Sequence, residues 1–238
     1  MRIAVISDIH SNILALEKVI EEIDGMSINC TICTGDLVGY GPRPNEVIDL
    51  LRERKIPVIL GNYDEGVGFE RDDCGCAYIT EEEIKDGRIS LNWTKKRVTS
   101  RNKAFLRSLP RSIEKEYSGL KLLFVHGSPR RINEYLFQDR PERSLRRMLL
   151  PLNIDVLVFG HTHIPYHRIV NNIHMVDAGS VGKPKDGDPR ACFAILDISE
   201  KIEVRFQRVS YDVGRVVNEI REEGLPEAFA QALVKGGG

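Results

Sequence analysis

The sequence predicts an α/β fold, in which short buried strands alternate with amphipathic helices. The chain has 238 residues, of which 42% are hydrophobic, so it can bury a substantial core. Residues 1–60 contain three short apolar runs separated by segments with helical spacing. Runs of this kind are typical of parallel strands buried on both faces, and a βαβαβ order predicts right-handed crossovers between them.

The N-terminal elements follow from the spacing of apolar residues. Ile13, Leu16, Ile20 and Ile23 recur at helical intervals, and Pro44 suits the first turn of a second helix. In order, the predicted elements are a strand at 3–6, a helix over 13–23, a strand at 30–33, a helix over 44–51 and a strand at 57–60.

The remaining elements follow from the same patterns. Residues 65–118 are charged and predict a cap-like insertion with helices at 81–98 and 101–109. Beyond it we predict strands at 120–125, 156–159, 167–170, 173–176, 191–198 and 202–209, and helices at 142–150, 213–222 and 226–234. The last three glycines, 236–238, are expected to fray. No repeat or linker divides the chain, so residues 1–238 are predicted to form one domain.

Composition excludes several classes of partner. Lys and Arg number 34 against 35 Asp and Glu, for a net charge of −1, which argues against stable nucleic-acid binding or attachment to an anionic membrane. No apolar run reaches the roughly 18 residues that a membrane span needs, and no signal peptide is recognisable. Five cysteines do not suit a disulfide framework, so a reducing, cytoplasmic setting is expected.

Side chains that commonly bind metals stand directly after the predicted strands. Because the carboxyl ends of parallel strands line one crevice, these side chains are expected to converge there. Taken singly, each is more often a helix cap, a turn residue or a structural histidine. Their conjunction predicts a metal site formed by Asp8, His10, Asp36, Asn62, His126, His161 and His163.

These residues lie in motifs that resemble the calcineurin-like metallophosphoesterase family. The motifs are Asp8-Ile9-His10, Gly35-Asp36, Gly61-Asn62-Tyr63-Asp64, His126-Gly127 and Gly160-His161-Thr162-His163. The segments 7–12, 35–42, 126–129 and 179–182 resemble its prokaryotic branch, which is related to diadenosine tetraphosphatases and protein phosphatases. The resemblance implies an α/β fold with two mixed sheets in a four-layer α/β/β/α sandwich. The hairpin-rich stretch after residue 165 is expected to build the second sheet.

The resemblance also implies two divalent metal ions. Asp8, His10 and His163 would bind the first ion, Asn62, His126 and His161 the second, and Asp36 would bridge them. Asn62, Tyr63, Asp64 and His126 are the expected catalytic residues. This mixed ligand set favours Mn²⁺, with Fe, Zn²⁺, Co²⁺ or Ni²⁺ as alternatives.

The implied activity is hydrolysis of phosphomonoesters or phosphodiesters by a hydroxide that two metal ions activate. The substrate would be a small-molecule phosphate ester or a phosphoprotein, and self-association into a homo-oligomer is left open. The alternative is a non-catalytic metal-binding scaffold on the same fold, as in the retromer scaffold subunit. A complete set of seven ligand positions favours the enzyme.

Tyr63 departs from the family pattern, which has histidine at this position. That histidine is usually assigned to protonating the leaving group or stabilising the transition state. Tyrosine has an ordinary pKa near 10, so it is a poorer acid at neutral pH. Asp64 would orient Tyr63 or close the turn.

Two further features have open interpretations. Cys30 and Cys33 are predicted to pack in a strand, whereas Cys74 and Cys76 lie in a predicted loop where a local disulfide is an alternative to free thiols. Several basic residues in predicted loops are either solvated surface or a phosphate clamp: Arg130, Arg131, Lys183, Lys185 and Arg190.

Overall fold

The computed structural model describes residues 1–199 and 201–237. Its strands are β1 (Arg2–Ile6), β2 (Cys30–Cys33), β3 (Ser112–Tyr117), β4 (Leu120–Val125), β5 (Val156–Phe159), β6 (Tyr166–Val170), β7 (Ile173–Asp177), β8 (Ala191–Ile198) and β9 (Ile202–Val209). Its helices are α1 (Ile13–Asp24), α2 (Pro44–Glu53), α3 (Asn62–Gly68), α4 (Glu81–Arg97), α5 (Ser100–Ser108), α6 (Glu142–Leu149), α7 (Val213–Glu222) and α8 (Glu227–Lys235).

The strands form two mixed sheets. The first has the order β2-β1-β8-β9, with β1 parallel to β2 and antiparallel to β8. The second has the order β3-β4-β5-β7-β6, with β4, β5 and β7 parallel and the edge strands antiparallel to their neighbours. The prediction of two mixed sheets is therefore confirmed.

Buried apolar residues form layers on both sides of these sheets. Ile3 and Val5 of the first sheet pack with Phe124 and Val158 of the second, so one core lies between the sheets. The outer face of the first sheet packs against α1 and α2, and the outer face of the second packs against α6. This arrangement confirms the four-layer α/β/β/α sandwich, because each sheet buries both of its faces.

Three local features differ from the predicted elements. Residues 57–60 run beside β2 but form only one parallel bridge, between Cys33 and Val58. Residues 62–68 form the short helix α3, which the sequence patterns did not predict. Strand β3 was missed because its sequence is exposed and charged, a pattern that an edge strand tolerates.

The hairpin-rich stretch after residue 165 was expected to build the second sheet, but its strands are divided between the two sheets. Strands β6 and β7 extend the sheet of β4 and β5, whereas β8 and β9 join β1. The apolar residues of each strand could be buried in either sheet, so the strand sequences do not show which sheet a hairpin joins. Pairing between residues far apart in the chain decides it.

Residues 65–118 contain α4, α5 and β3, and their description as a cap-like insertion in one domain stays a prediction. Helix α4 begins at a capping box in which Thr80 and Glu83 satisfy each other's backbone N–H groups.

Gly236 ends α8 in the left-handed conformation, and Gly238 lies outside the described residues. Among the described helices, none has the length and apolar character needed to cross a bilayer.

Candidate metal centre

The seven candidate ligands lie together, in loops where strands of the two sheets end and at the start of a helix. Asp8 and His10 follow β1, Asp36 follows β2, and Asn62 begins α3; His126 follows β4, and His161 and His163 follow β5. All seven are buried. Six of the seven follow strands, as the sequence predicted, whereas Asn62 follows a segment that forms no strand; strands of both sheets supply the ligands.

The two sheets are joined directly through Asp8. Its Oδ2 accepts hydrogen bonds from Ser7 Oγ at 2.6 Å and from the backbone N–H of His161 at 2.9 Å. Asp8 therefore keeps the loop after β5 in place against the loop after β1.

Backbone strain is concentrated at these loops. Asp8, His10, Asp36, His161 and His163 all have positive φ, between 48° and 71°. Non-glycine residues adopt this region rarely, and such strain is typically retained where function requires a particular side-chain direction. The strain supports a functional rather than a merely structural reason for these turns.

The side chains fall into two groups of three whose potential ligand atoms lie within 4.8 Å of one another. One group is Asp8, His10 and His163, and the other is Asp36, His126 and His161. Asn62 adjoins the second group, because its Oδ1 lies 2.8 Å from His126 Nε2.

Asp36 also reaches the first group. Its Oδ2 lies 3.7 Å from His10 Nε2 and 3.5 Å from His126 Nε2, while its Oδ1 accepts a hydrogen bond from the Tyr63 N–H at 2.8 Å. One oxygen is thus held by the backbone and the other lies between the two groups.

Backbone carbonyls orient three of the histidines. The Nδ1 atoms of His10, His126 and His163 lie 3.0, 2.8 and 2.5 Å from the carbonyl oxygens of Val38, Thr34 and Lys183. Hydrogen bonds of this kind place the proton on Nδ1, which leaves Nε2 free to bind a metal.

With those tautomers, acceptor atoms face one another without a donor between them. The Nε2 atoms of His10 and His163 are 3.2 Å apart. Within the described part of the chain, Asp8 Oδ1 and His161 Nε2 are buried and have no hydrogen-bond partner. Converging buried acceptors are costly unless a cation lies among them, so the residues fit divalent metal ions.

The charges around the second group also favour a cation at the centre. Burial by itself would lower the pKa of His126, but the carboxylates of Asp36 and Asp8 and a hydrogen bond raise it to about 10. Burial favours the neutral form of Asp36, but the charge and hydrogen bond of His126 hold its pKa well below the ordinary value. When no metal is bound, a proton on His126 balances the negative charge of Asp36, and a divalent ion would take the place of that proton.

The two other predicted catalytic residues lie behind the metal ligands. The Asp64 carboxylate accepts hydrogen bonds from the backbone N–H groups of Leu37, Val38 and Gly61, at 2.9, 3.2 and 3.1 Å. It therefore connects the loop that carries Asp36 to the start of α3. A catalytic role for Asp64 stays a prediction.

Tyr63 is fully buried, and its hydroxyl donates a hydrogen bond to Ser90 Oγ at 2.6 Å. Burial raises the pKa of Tyr63 well above the ordinary value of 10. A role in protonating the leaving group stays a prediction, and in this arrangement the proton is directed towards Ser90.

The basic loop residues separate into two classes. Arg130 pairs with Glu134 and Arg190 pairs with Asp188, so these two belong to surface ion pairs. Lys183 has no carboxylate partner among the described residues; its Nζ lies 4.6 Å from the centre of the Tyr40 ring. Lys183 also holds His163 through its backbone carbonyl, so its backbone lies against the first group.

Several neighbours of the centre were missed by sequence reasoning. The centres of the Tyr135 and His161 rings are 3.9 Å apart, and Cys76 Sγ lies 3.4 Å from Asn62 Nδ2. No sequence signal marks Tyr135, which lies in a loop far along the chain from His161. Cys76 was noticed only as part of its spacing with Cys74.

Comparison with known proteins agrees with this geometry. A sequence model of the calcineurin-like phosphoesterase superfamily domain matches residues 1–201. An uncharacterised protein of Methanocaldococcus jannaschii, MJ0912, is 35% identical, with 98% of each chain covered. Phosphodiesterase YfcE of Escherichia coli K12 is 26% identical, over 83% of this chain and 88% of that protein.

A solved structure extends the likeness to the whole fold. The crystal structure of a metallophosphoesterase from Sphaerobacter thermophilus has a TM-score of 0.80 and 30% identity, and the match covers 99% of both chains. The family match and the similarity across the whole chain lead to one conclusion: this protein belongs to the calcineurin-like phosphoesterase superfamily.

Proposed function

We propose that this protein is a metal-dependent phosphoesterase that hydrolyses phosphomonoesters or phosphodiesters with two divalent ions. The observation that carries the proposal is the pair of buried ligand groups with Asp36 between them. A scaffold that only needs the fold would have no reason to retain both groups and their strained backbone.

The proposed ligands follow the two groups. Asp8, His10 and His163 would hold one ion, Asn62, His126 and His161 the other, and Asp36 would contact both. When bound, the ions would stabilise negative charge on a phosphate and lower the pKa of water, with Mn²⁺ the proposed metal.

The protein's own contribution is positional. Backbone carbonyls keep the imidazole Nε2 atoms pointed inwards, and Asp64 keeps the Asp36 loop against α3. Burial of all seven ligands lowers the local dielectric and strengthens the attraction between cations and an anionic phosphate. Rigid placement of this kind accelerates hydrolysis without a covalent protein nucleophile.

A substrate panel tests the proposal. The Mn²⁺-loaded protein should hydrolyse some members of a set of aryl phosphomonoesters, aryl phosphodiesters, cyclic nucleotides and dinucleoside polyphosphates, and chelation should abolish the activity. Metal-loaded, folded protein that is inert towards the whole panel would favour the scaffold alternative.

Metal removal is expected to destabilise the fold. Asp8 and Asp36 would lose their positive partners, and binding to the native state contributes about 2.7 kcal/mol at a metal concentration of 100 Kd. For a chain of this size the melting temperature should rise by about 5–10 °C on loading. Thermal melts with chelator and with Mn²⁺ measure this, with metal content checked in parallel. An unchanged midpoint in protein that gains and loses its metal would contradict the expectation.

Tyr63→Phe is expected to change kcat/KM for nitrophenyl esters by only a few fold, because those leaving groups depart without a proton. The loss of one hydrogen bond to Ser90 corresponds to about 1 kcal/mol. Tyr63→His should favour alkyl esters over nitrophenyl esters, since general acid catalysis contributes about 10²–10⁴-fold.

The measurement is kcat/KM for the three proteins across esters of graded leaving-group pKa. Ser90→Ala is the matched control, because it removes the partner of the Tyr63 hydroxyl and leaves the ring in place. A slope that is the same in wild type and in Tyr63→His would show that position 63 does not supply the proton.

Lys183→Met is expected to raise KM about tenfold, because Lys183 lines the same pocket as His10 and would contact the substrate phosphate. Hydrogen bonds to charged groups contribute about 1.5–3 kcal/mol, which makes a tenfold effect a modest expectation. Lys115→Met, on the exposed edge strand β3, is the control. An unchanged KM in Lys183→Met would show that this residue only supports His163.

A further inference from the structure

Two cysteines lie directly behind Asn62. Cys74 Sγ and Cys76 Sγ are 3.0 Å apart, and both thiols are free. Gly75 between them has φ of +71°, a conformation that lets the chain turn tightly. The two sulfurs thus form a preassembled dithiol rather than two independent core residues.

The dithiol can be reached from solvent. A cleft of about 390 Å³ between the 72–78 segment and α4 is lined by both cysteines, Tyr78 and Arg88. Cys76 is half-buried, and Cys74 is 7% exposed. By contrast, Cys33 and Cys192 are fully buried in the cores.

The dithiol also touches the candidate metal centre through Asn62. Asn62 Nδ2 donates to the carbonyl oxygen of Cys74 at 2.9 Å and to Cys76 Sγ at 3.4 Å. The other end of the same amide, Oδ1, faces His126. The position of both cysteines therefore determines which way the Asn62 carbonyl points.

We propose that Cys74 and Cys76 form a thiol–disulfide exchange site, which a low-molecular-weight organic disulfide oxidises to an internal disulfide. Neither the family match nor the similarity to known proteins assigns a role to these residues.

The chemistry balances with the oxidant named. One protein thiol, after losing its proton, attacks the organic disulfide and forms a mixed disulfide, and one small thiol leaves. The second protein thiol, also after losing its proton, attacks the protein sulfur of that mixed disulfide and releases the second small thiol. Two protein thiols are oxidised by two electrons, and the organic disulfide is reduced to two thiols.

Oxidation would change the support of Asn62. A disulfide bond is about 2.05 Å long, so the two sulfurs must approach by about 1 Å. Since Cys76 Sγ accepts from Asn62 Nδ2, this movement weakens the contact that orients the amide. We expect weaker metal binding at the group that Asn62 adjoins, a step that rests on the proposed function.

The test uses the full chain loaded with Mn²⁺ and treated with 2-hydroxyethyl disulfide. Alkylation after denaturation should fall from five cysteines to three, and peptide mapping should locate the disulfide between positions 74 and 76. Bound metal should fall by about one ion per chain, and dithiothreitol should restore both values. Cys30→Ser, distant from the centre, should show the same loss of two thiols.

Separate outcomes overturn separate steps. Five alkylated cysteines after treatment would overturn the exchange site, and so would an internal disulfide that still forms in Cys76→Ser or in Cys74→Ser. Disulfide formation with unchanged metal content would overturn the coupling to Asn62. A chain that never takes up metal would count against the proposed function, while the alkylation result would still decide the exchange site.

Discussion

Asp36→Asn is expected to deplete metal from both ligand groups and to lower kcat/KM by at least about 10³-fold. Removing one group that stabilises charge in the transition state typically lowers kcat about 10²–10³-fold. Asp36 lies between two ligand groups, so a larger loss is expected. The asparagine carbonyl can still accept the Tyr63 N–H, so the amide nitrogen would take the place of Oδ2. A donor would then face His10 and His126 where a negative charge is needed.

Asp8→Asn is the matched comparison for this variant. Asp8 Oδ1 lies 3.9 Å from His10 Nε2 and 3.4 Å from His163 Nε2, so this substitution should deplete mainly the ion of the first group. Metal content by mass spectrometry and kcat/KM on one nitrophenyl ester measure both variants. Two metal ions per chain in folded Asp36→Asn would contradict the bridging assignment.

Gly61→Ala is expected to reduce metal binding and kcat/KM nearly as much as Asp36→Asn does, although it changes no ligand. A Cβ at position 61 would overlap Asp36 Oδ1 and the Asp36 backbone nitrogen, which leaves no room for a methyl group. The two loops would have to separate, and this movement would displace Asp36 from its place between the two histidines. We expect loss of metal and at least about a 10²-fold drop in kcat/KM, comparable to the loss of one stabilising donor.

Gly25→Ala is the control for an added methyl group. Gly25 ends α1 with φ of −75°, and a Cβ there would meet no atom closer than 3.5 Å. Its activity and metal content should equal those of the wild type. If Gly61→Ala retained both metals and full activity, the close approach of these loops would not control the position of Asp36.

Much of the candidate site could be predicted because its residues follow strands with strong local signals. The apolar runs before Asp8, Asp36, His126 and His161 are short and buried, and the structure has β1, β2, β4 and β5 there. Each such run carries its own evidence for a strand, and the polar residue that follows is fixed in sequence. This is why the motifs could be placed on strand ends without a structure.

The contacts around the site could not be predicted in the same way. Tyr63 looks like a residue that replaces a catalytic histidine, yet its hydroxyl reaches Ser90, which lies 27 positions along the chain. Tyr135 and Cys76 meet His161 and Asn62 through loop packing that has no periodic pattern. Such contacts depend on how neighbouring helices and loops fill space.

The sequence by itself determined the α/β class, most helices and strands, and the residue types that meet at the centre, because periodicity and strand-end motifs are local properties. Only the tertiary structure decided which sheet each hairpin joins. It also decided that the Asp36 Oδ2 atom lies between His10 and His126. Strand pairing and the approach of separate loops depend on contacts between residues far apart in the chain, and no local pattern encodes those distances.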